Sequence, residues 1–335
     1  MKTCKVCVKC GRHSPCYCYQ CECPDSKKCL IYVSNYFDNS LSVVDAKTLQ
    51  VIKTIPVGEA PRGVAYDPVT QVMYVGSTIS NYISVIDEKN NYSVTTIPIG
   101  MELPKGTVNP TEIEVNPYTQ MVYVIATGLN ATMVIDERTN QIVATIPVGS
   151  QPYGLEVEYS TDMIYVPNNL TDNVSVIDGK TNQVVATVPV GELPSKVDSD
   201  QDRNIIYVTN FHDNNVSVID GKTYTVIATV PVGDGPAGIV VNPNNGLVYV
   251  ANGKSNDVSV IDWRSFKVIA TIPVGKLPGI LAVNAVTNQI YVTNYDGGYT
   301  TVIDGDTNKP VSYFTTAAYP YGIDDSCAHP EWLNS

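Results

Sequence analysis

Several features of common enzyme and nucleic-acid-binding classes are scarce or missing in this chain of 335 residues. Histidine occurs only three times, too rarely for a multi-histidine metal centre. No apolar run approaches the ~18 residues that a membrane-spanning helix needs, so no membrane span is expected. Charged residues make up only 16% of the chain, and the net charge of −12 argues against binding nucleic acid through its phosphates.

Charge and cysteine are unevenly distributed, and they divide the chain into two unlike parts. Residues 1–30 contain six basic and two acidic side chains, a net charge of +4, which leaves −16 for the remainder. Eight of the nine cysteines also fall in this segment, and the ninth is Cys327. The segment has no apolar stretch of the kind that a secretory signal requires, so no Sec signal peptide is recognisable.

A repeat of about 42 residues occupies the rest of the chain. An aspartate that ends a β-rich run recurs at intervals of 42, 49, 42, 42, 42 and 42 residues. These aspartates are Asp45, Asp87, Asp136, Asp178, Asp220, Asp262 and Asp304. A tyrosine followed by valine recurs in step at Tyr32, Tyr74, Tyr123, Tyr165, Tyr207, Tyr249 and Tyr291. The chain therefore contains seven copies of one unit.

Each copy predicts four short strands. In the fifth copy these are 205–210, 216–220, 226–232 and 238–242. Four antiparallel strands in about 42 residues are typical of a β-propeller blade. Because each repeated aspartate has the same place in its copy, we interpret the aspartates as turn residues that bond their own backbone. We expect the repeated tyrosines to pack between blades.

The recurring Tyr-Val-Thr-Asn at 207–210 and 291–294 resembles the YVTN-repeat propeller family, and the resemblance covers about residues 30–326. It implies a scaffold or adhesive role of the kind known from bacterial and archaeal surface proteins. We predict an all-β, seven-bladed β-propeller of four-stranded antiparallel blades at 30–327. An irregular Cys-rich arm at 1–29 would precede it, and a short tail at 328–335 would follow it.

The two ends of the repeat region predict how the ring closes. The region starts at a Tyr-Val strand (31–35) and ends at 321–327 with a segment that matches the fourth strand of the other copies. The last strand should therefore complete the first blade. Aligned with the second copy, Cys29 and Cys327 flank a two-residue turn, within the ~5.5–6 Å Cα separation of a disulfide. A Cys29–Cys327 disulfide is therefore predicted.

The seven other cysteines are expected to bind a soft metal. They are Cys4, Cys7, Cys10, Cys16, Cys18, Cys21 and Cys23. Their spacing resembles metallothionein-like chains in density, and thiolates select Cu(I), Zn(II) and iron–sulfur clusters. Cu(I) is favoured, because it shares thiolates in tight irregular sets, with zinc and an iron–sulfur cluster as alternatives. Disulfides remain the alternative to metal, although an odd number cannot all pair within one subunit.

The largest break in the repeat is an extra seven residues in the second copy, within residues 101–115. This stretch carries Glu102, Lys105, Glu112 and Glu114. We interpret it as a tolerated surface insertion, with a partner contact as the alternative.

These observations predict a non-enzymatic structural protein, since no catalytic set, phosphate-binding loop or cofactor fingerprint is found. It would self-assemble outside the cell, as a fibre or surface-layer subunit, through an arm that binds metal and links neighbouring copies. Electron transfer along metal-bearing arms would fit the same picture. The alternative is a monomeric surface propeller that binds a ligand or partner and has a disulfide-bonded arm. That function needs unlike polar residues clustered on one face, and the regular repeat does not predict them.

Overall fold

A computed structural model describes residues 29–327, which form seven antiparallel sheets of four strands arranged in a ring. The first strand of each blade lies nearest the ring axis and neighbours the first strands of the two adjacent blades. Within the described residues the only helical element is a short 3-10 turn, Thr127–Leu129, and no helix there could cross a membrane. The predicted all-β, seven-bladed propeller is confirmed.

The strands are named in chain order and fall into four layers. The innermost strands are Pro61–Asp67 (β4), Pro110–Asn116 (β8), Glu156–Glu158 (β12), Pro194–Asp200 (β16), Pro236–Val241 (β20), Pro278–Asn284 (β24) and Pro320–Asp325 (β28). The second strands are Leu30–Asn35 (β1), Val72–Ser77 (β5), Met121–Ala126 (β9), Met163–Asn168 (β13), Ile205–Asn210 (β17), Val248–Asn252 (β21) and Gln289–Asn294 (β25).

The two remaining layers follow outwards. The third strands are Ser40–Asp45 (β2), Tyr82–Asp87 (β6), Ala131–Asp136 (β10), Asn173–Asp178 (β14), Asn215–Asp220 (β18), Asp257–Asp262 (β22) and Tyr299–Asp304 (β26). The outer strands are Gln50–Pro56 (β3), Ser93–Pro98 (β7), Gln141–Pro147 (β11), Gln183–Pro189 (β15), Thr225–Pro231 (β19), Lys267–Pro273 (β23) and Lys309–Phe314 (β27). Blade 1 consists of β28, β1, β2 and β3, and blades 2 to 7 follow in sequence order.

The hydrophobic core lies between the blades and is built from the second and third strands. β-branched residues and tyrosine dominate these strands because both of their faces are covered by neighbouring blades. The seven repeated tyrosines are 0–1% exposed, and Tyr74 of blade 2 packs with Ile113 and Val115 of blade 3. The predicted packing of the tyrosines between blades is confirmed.

The repeated aspartates close the turns between the third and outer strands. The carboxylate of Asp45 accepts the backbone N–H groups of Lys47 and Thr48, both at 2.9 Å. Each of the other six aspartates accepts at least one such bond from its own turn. Their interpretation as turn residues is confirmed.

The ring closes as predicted. Strand β28 pairs antiparallel with β1, with Tyr32 opposite Asp324. Cys29 and Cys327 form a disulfide with a Cα–Cα distance of 5.6 Å. The bond joins residues 298 positions apart and lies beside the strand pair that completes blade 1.

We expect the double variant Cys29→Ser/Cys327→Ser to fold but to be less stable than the wild-type protein by up to about 5 kcal/mol, because the disulfide restricts a very long loop in the unfolded chain. Chemical denaturation under oxidising conditions measures the difference. Reduced wild-type protein is the control, since it lacks the same bond without any substitution. Equal denaturation midpoints for oxidised and reduced wild-type protein, or peptide maps with both thiols free, would contradict the prediction.

Candidate functional site on the propeller axis

The innermost strands are the part of the blades in which the copies differ most in chemistry. Each inner segment begins with a proline, and the residues one, two and four places later vary from blade to blade. Four places after the proline, blades 1 to 7 carry Asp324, Ala65, Glu114, Glu156, Asp198, Val240 and Ala282. The regular repeat predicted no clustering of unlike polar residues, and this prediction is wrong. Such residues meet at the axis because all seven inner strands surround it.

Four of these residues form what we call the acidic ring: Glu114, Glu156, Asp198 and Asp324. Three of the carboxylates accept hydrogen bonds from the neighbouring blade. Asp324 of blade 1 accepts the N–H of Tyr66 in blade 2 at 2.8 Å. Asp198 of blade 5 accepts the N–H of Val241 in blade 6 at 2.7 Å.

Glu156 of blade 4 contacts blade 5 in the same way, through hydroxyl and amide groups. It accepts hydrogen bonds from the Ser199 hydroxyl and, at 3.0 Å, from the Gln201 side-chain amide. Glu114 differs from the other three members of the ring. Among the residues that the structure describes, none donates a hydrogen bond to its carboxylate or forms an ion pair with it.

The acidic ring concentrates negative charge in a region of restricted hydration. Burial, followed by the charges of Asp324 and Asp198, raises the pKa of Glu114 well above its ordinary value. Burial and the charges of Asp198 and Glu114 likewise raise the pKa of Glu156. The phenol pKa of Tyr159 is raised by burial and by all four carboxylates. The ring therefore favours the binding of protons or other positive groups over anions.

A buried ion pair lies further along the inner strands. Lys196 of blade 5 pairs with Glu112 of blade 3, past Gly154 of the blade between them. A Cβ atom on Gly154 would stand 2.6 Å from the Ser195 carbonyl oxygen, so this position must stay small. Burial and the guanidinium of Arg62 lower the pKa of Lys196, whereas the carboxylate of Glu112 acts in the opposite direction.

At the other end of the axis from the acidic ring, an arginine is held among tyrosine rings. The Arg62 guanidinium donates to the Tyr153 hydroxyl at 2.8 Å. Its central carbon lies 4.8 Å from the ring centre of Tyr321 and 5.4 Å from that of Tyr36. The hydroxyls of Tyr153 and Tyr321 share a hydrogen bond of 2.7 Å. A shift in register follows Pro61 in β4, and such an irregularity re-aims the side chains beside it.

More aromatic residues, on loops of blades 1 and 7, pack against the tyrosines that hold this arginine. The Tyr319 ring lies 4.7 Å from that of Phe37 and 5.2 Å from that of Tyr295. Phe37 is 59% exposed and Tyr319 is 40% exposed, so the aromatic rim faces solvent. We call this set the tyrosine cluster. It consists of Tyr36, Phe37, Tyr153, Tyr295, Tyr319 and Tyr321 around Arg62.

The seven-residue insertion forms a longer loop between blades 2 and 3, and two of the residues assigned to it lie elsewhere. The connection from β7 to β8 covers residues 99–109, against 57–60 between β3 and β4. Its backbone carbonyls at Leu103 and Pro104 accept hydrogen bonds from the Asn81 amide at 3.0 and 2.9 Å. Glu112 and Glu114 lie on β8, beyond this loop, and belong to the axial groups described above.

The predicted metal ligands at positions 4, 7, 10, 16, 18, 21 and 23 lie outside the described residues, so soft-metal binding by the arm stays a prediction. Within residues 29–327 no group of three or more histidine, cysteine or acidic side chains is placed to hold a metal ion, and this includes the acidic ring.

Comparisons with known proteins show the fold alone. No family model matches the chain, and no curated protein matches it. A functionally unknown protein from Desulfotomaculum acetoxidans is 17% identical, with a TM-score of 0.74 over 88% of this chain and 98% of its own. Kuenenia stuttgartiensis hydrazine synthase is 17% identical, with a TM-score of 0.69 over 79% and 89%. Dihydro-heme d1 dehydrogenase NirN is 15% identical, with a TM-score of 0.65 over 86% and 64%.

These similarities correct one prediction. The sequence analysis predicted that the chain is not an enzyme. That prediction is wrong, because this architecture also occurs in enzymes. The same propeller fold occurs in hydrazine synthase and in the dehydrogenase NirN. At 15–17% identity the likeness assigns no reaction to this chain.

We expect Glu114→Gln to make the stability of the folded protein less sensitive to rising pH. A carboxyl group whose pKa is raised on folding stabilises the fold below its unfolded pKa of about 4.3, and this contribution is lost as pH rises through the raised value. The variant should resemble wild type near pH 4 and be more stable than wild type at pH 8, where the wild-type carboxylate must ionise in a buried acidic environment. Urea denaturation at a series of pH values measures this difference.

The control for that experiment is Glu102→Gln, which makes the same change at an exposed position in the insertion. It should follow the wild-type pH profile. If the stability of Glu114→Gln falls with rising pH as steeply as that of wild type, ionisation of Glu114 does not destabilise the fold, and the prediction is wrong.

Proposed function

We propose that this chain is an extracellular or cell-surface structural subunit of the YVTN-repeat type that assembles through its N-terminal segment. The acidic ring of one propeller would receive the basic segment 1–28 of a neighbouring copy. One observation carries the proposal. The segment leaves the propeller at Cys29, which the disulfide holds at Cys327, and Asp324 of the acidic ring is only three residues before Cys327. The acidic ring and the point at which the basic segment joins the propeller thus lie at the same face.

Charge and length support contact with a neighbouring copy. Residues 1–30 carry +4 and the remainder carries −16, so the segment and the propeller attract each other. Twenty-eight extended residues span up to about 90 Å, whereas a body of this size is about 50 Å across. A contact in which one copy's segment docks on the next copy propagates as a filament if it does not close into a ring.

A soft metal fits the donor set of the segment. The disulfide removes Cys29 from the available thiols and leaves an odd number, seven, within residues 4–23. Thiolates at such close spacing suit Cu(I) first, with zinc or an iron–sulfur cluster as alternatives. Metal shared between copies would reinforce the electrostatic contact.

We expect deletion of residues 1–28 to give a folded, monomeric propeller, because every described contact of the blades is retained. Electron microscopy and light scattering measure assembly. Added to full-length protein, the truncated protein should cap growing filaments. Its acidic ring can receive a segment from the filament, but it has no segment with which to bind a further copy. Glu114→Gln/Glu156→Gln should weaken assembly most at low salt, where charge attraction is least screened.

The control for assembly is Asp172→Asn, which removes a charge from an exposed turn at the face opposite the acidic ring. It should assemble like wild type. Filaments formed by the truncated protein, or full-length protein that stays monomeric at high concentration, would refute the proposed assembly.

We expect protein purified without chelator to contain at least about one soft metal ion per chain, with copper the most abundant. Elemental analysis measures this, and the 1–28 deletion is the matched control that should contain none. Metal retained by the truncated protein would place the ligands on the propeller. Full-length protein with less than one ion per chain would refute metal binding by the segment.

A further inference from the structure

The tyrosine cluster has no role in the assembly proposed above, and its chemistry is that of a ligand site. We propose that it binds a carboxylated sugar, a pyranose of the uronic acid class, with the carboxylate on Arg62 and the sugar ring on the surrounding aromatic side chains. This inference is independent of how copies assemble, because it uses residues at the opposite end of the axis from the acidic ring.

The first argument is the state of the arginine. Within the described residues Arg62 has no carboxylate partner, and its buried Nε–H has no hydrogen-bond acceptor. The nearby cation Lys196 differs, because Glu112 neutralises it. In a chain of net charge −12, a guanidinium enclosed by phenol rings and left without a counter-ion is costly unless a ligand supplies one. A carboxylate matches its fork of donors with two parallel hydrogen bonds.

The second argument is the shape and polarity of the rim. Phe37 and Tyr319 are large aromatic residues exposed at the rim of the tyrosine cluster, where a soluble surface would ordinarily carry polar groups. Aromatic faces carry partial negative charge and attract the weakly positive C–H groups of a sugar ring. The hydroxyls of Tyr153 and Tyr321 hydrogen-bond each other and keep acceptor positions for sugar hydroxyls.

The cluster as a whole matches a ligand that has one negative charge and several hydroxyl groups. Among the described residues of the cluster, a single cation without a carboxylate partner stands among uncharged phenols, and Glu112 neutralises the neighbouring lysine. A polyanion would find only one counter-charge, and a neutral sugar would leave the guanidinium unpaired. A uronic acid has one carboxylate on a ring that otherwise offers hydroxyls and C–H groups, which matches both parts of the cluster.

Calorimetric titration of the full-length protein with galacturonic acid, a monosaccharide with one carboxylate, tests the proposal. We expect saturable binding, and binding at least about tenfold weaker for the uncharged methyl ester of the same sugar, because a charge-assisted pair is lost. Arg62→Gln should weaken acid binding by a similar factor and remove the preference for the acid over the ester. Tyr319→Ala should weaken both ligands, because it removes a stacking surface and leaves the charge in place.

Arg264→Gln is the control. Arg264 also stacks on an aromatic ring, with its central carbon 4.3 Å from the centre of Trp263, but it lies on an exposed turn away from the tyrosine cluster. It should bind like wild type. Melting curves check each variant's fold, and Tyr319→Ala keeps the test decisive if Arg62→Gln fails to fold, since Tyr319 is already 40% exposed.

Three results would overturn the proposal. The first is equal affinity for acid and ester, which would remove the role of the carboxylate. The second is tighter binding of benzoate or of an acidic peptide than of the uronic acid, which would assign the cluster to a different ligand class. The third is no saturable binding of galacturonic acid at millimolar concentration.

Discussion

The close approach of seven inner strands around one axis is the constraint on which the rest of this molecule depends. A Cβ atom on Gly322 would stand 1.9 Å from the carbonyl oxygen of Arg62, and one on Gly238 would stand 2.0 Å from that of Gly279. Backbone of one blade therefore occupies the space that a side chain of the next would need. At this level blades 1, 2, 4 and 6 carry glycine, and side chains occur on blades 3, 5 and 7, among them Glu112 and Lys196. Their ion pair past Gly154 is a consequence of this packing.

The same constraint explains why the repeat is strict in some strands and loose in others. The second and third strands meet both neighbouring blades, so the tyrosine, the β-branched residues and the turn aspartate recur in every copy. The inner strand has one edge on the axis, where seven copies of one charged residue would repel each other. Variation there avoids that repulsion and lets unlike groups converge, as in the acidic ring and around Arg62.

Periodicity therefore predicted the scaffold well and the candidate site poorly. The fourth strand of the fifth copy was predicted at 238–242 and runs from Pro236 to Val241. The disulfide could be predicted because Cys29 and Cys327 occupy the places of neighbouring turn residues in a complete blade. The axial residues could not be predicted in this way, because each looks like ordinary variation and its partners lie about 42 residues or more away in the sequence. Comparing the residues after each inner-strand proline would have revealed them.

The ends of the axis differ in chemistry, and this polarity separates the two proposed roles. The acidic ring and the disulfide share one face, because Asp324 and Cys327 are close in sequence at the end of β28. The tyrosine cluster is carried by the starts of the inner strands and by the loops after β1 and β25, at the opposite face. The contact proposed at the acidic ring therefore uses no residue of the aromatic rim. One propeller can take part in assembly at one face and bind a ligand at the other, since the two sets share no residue.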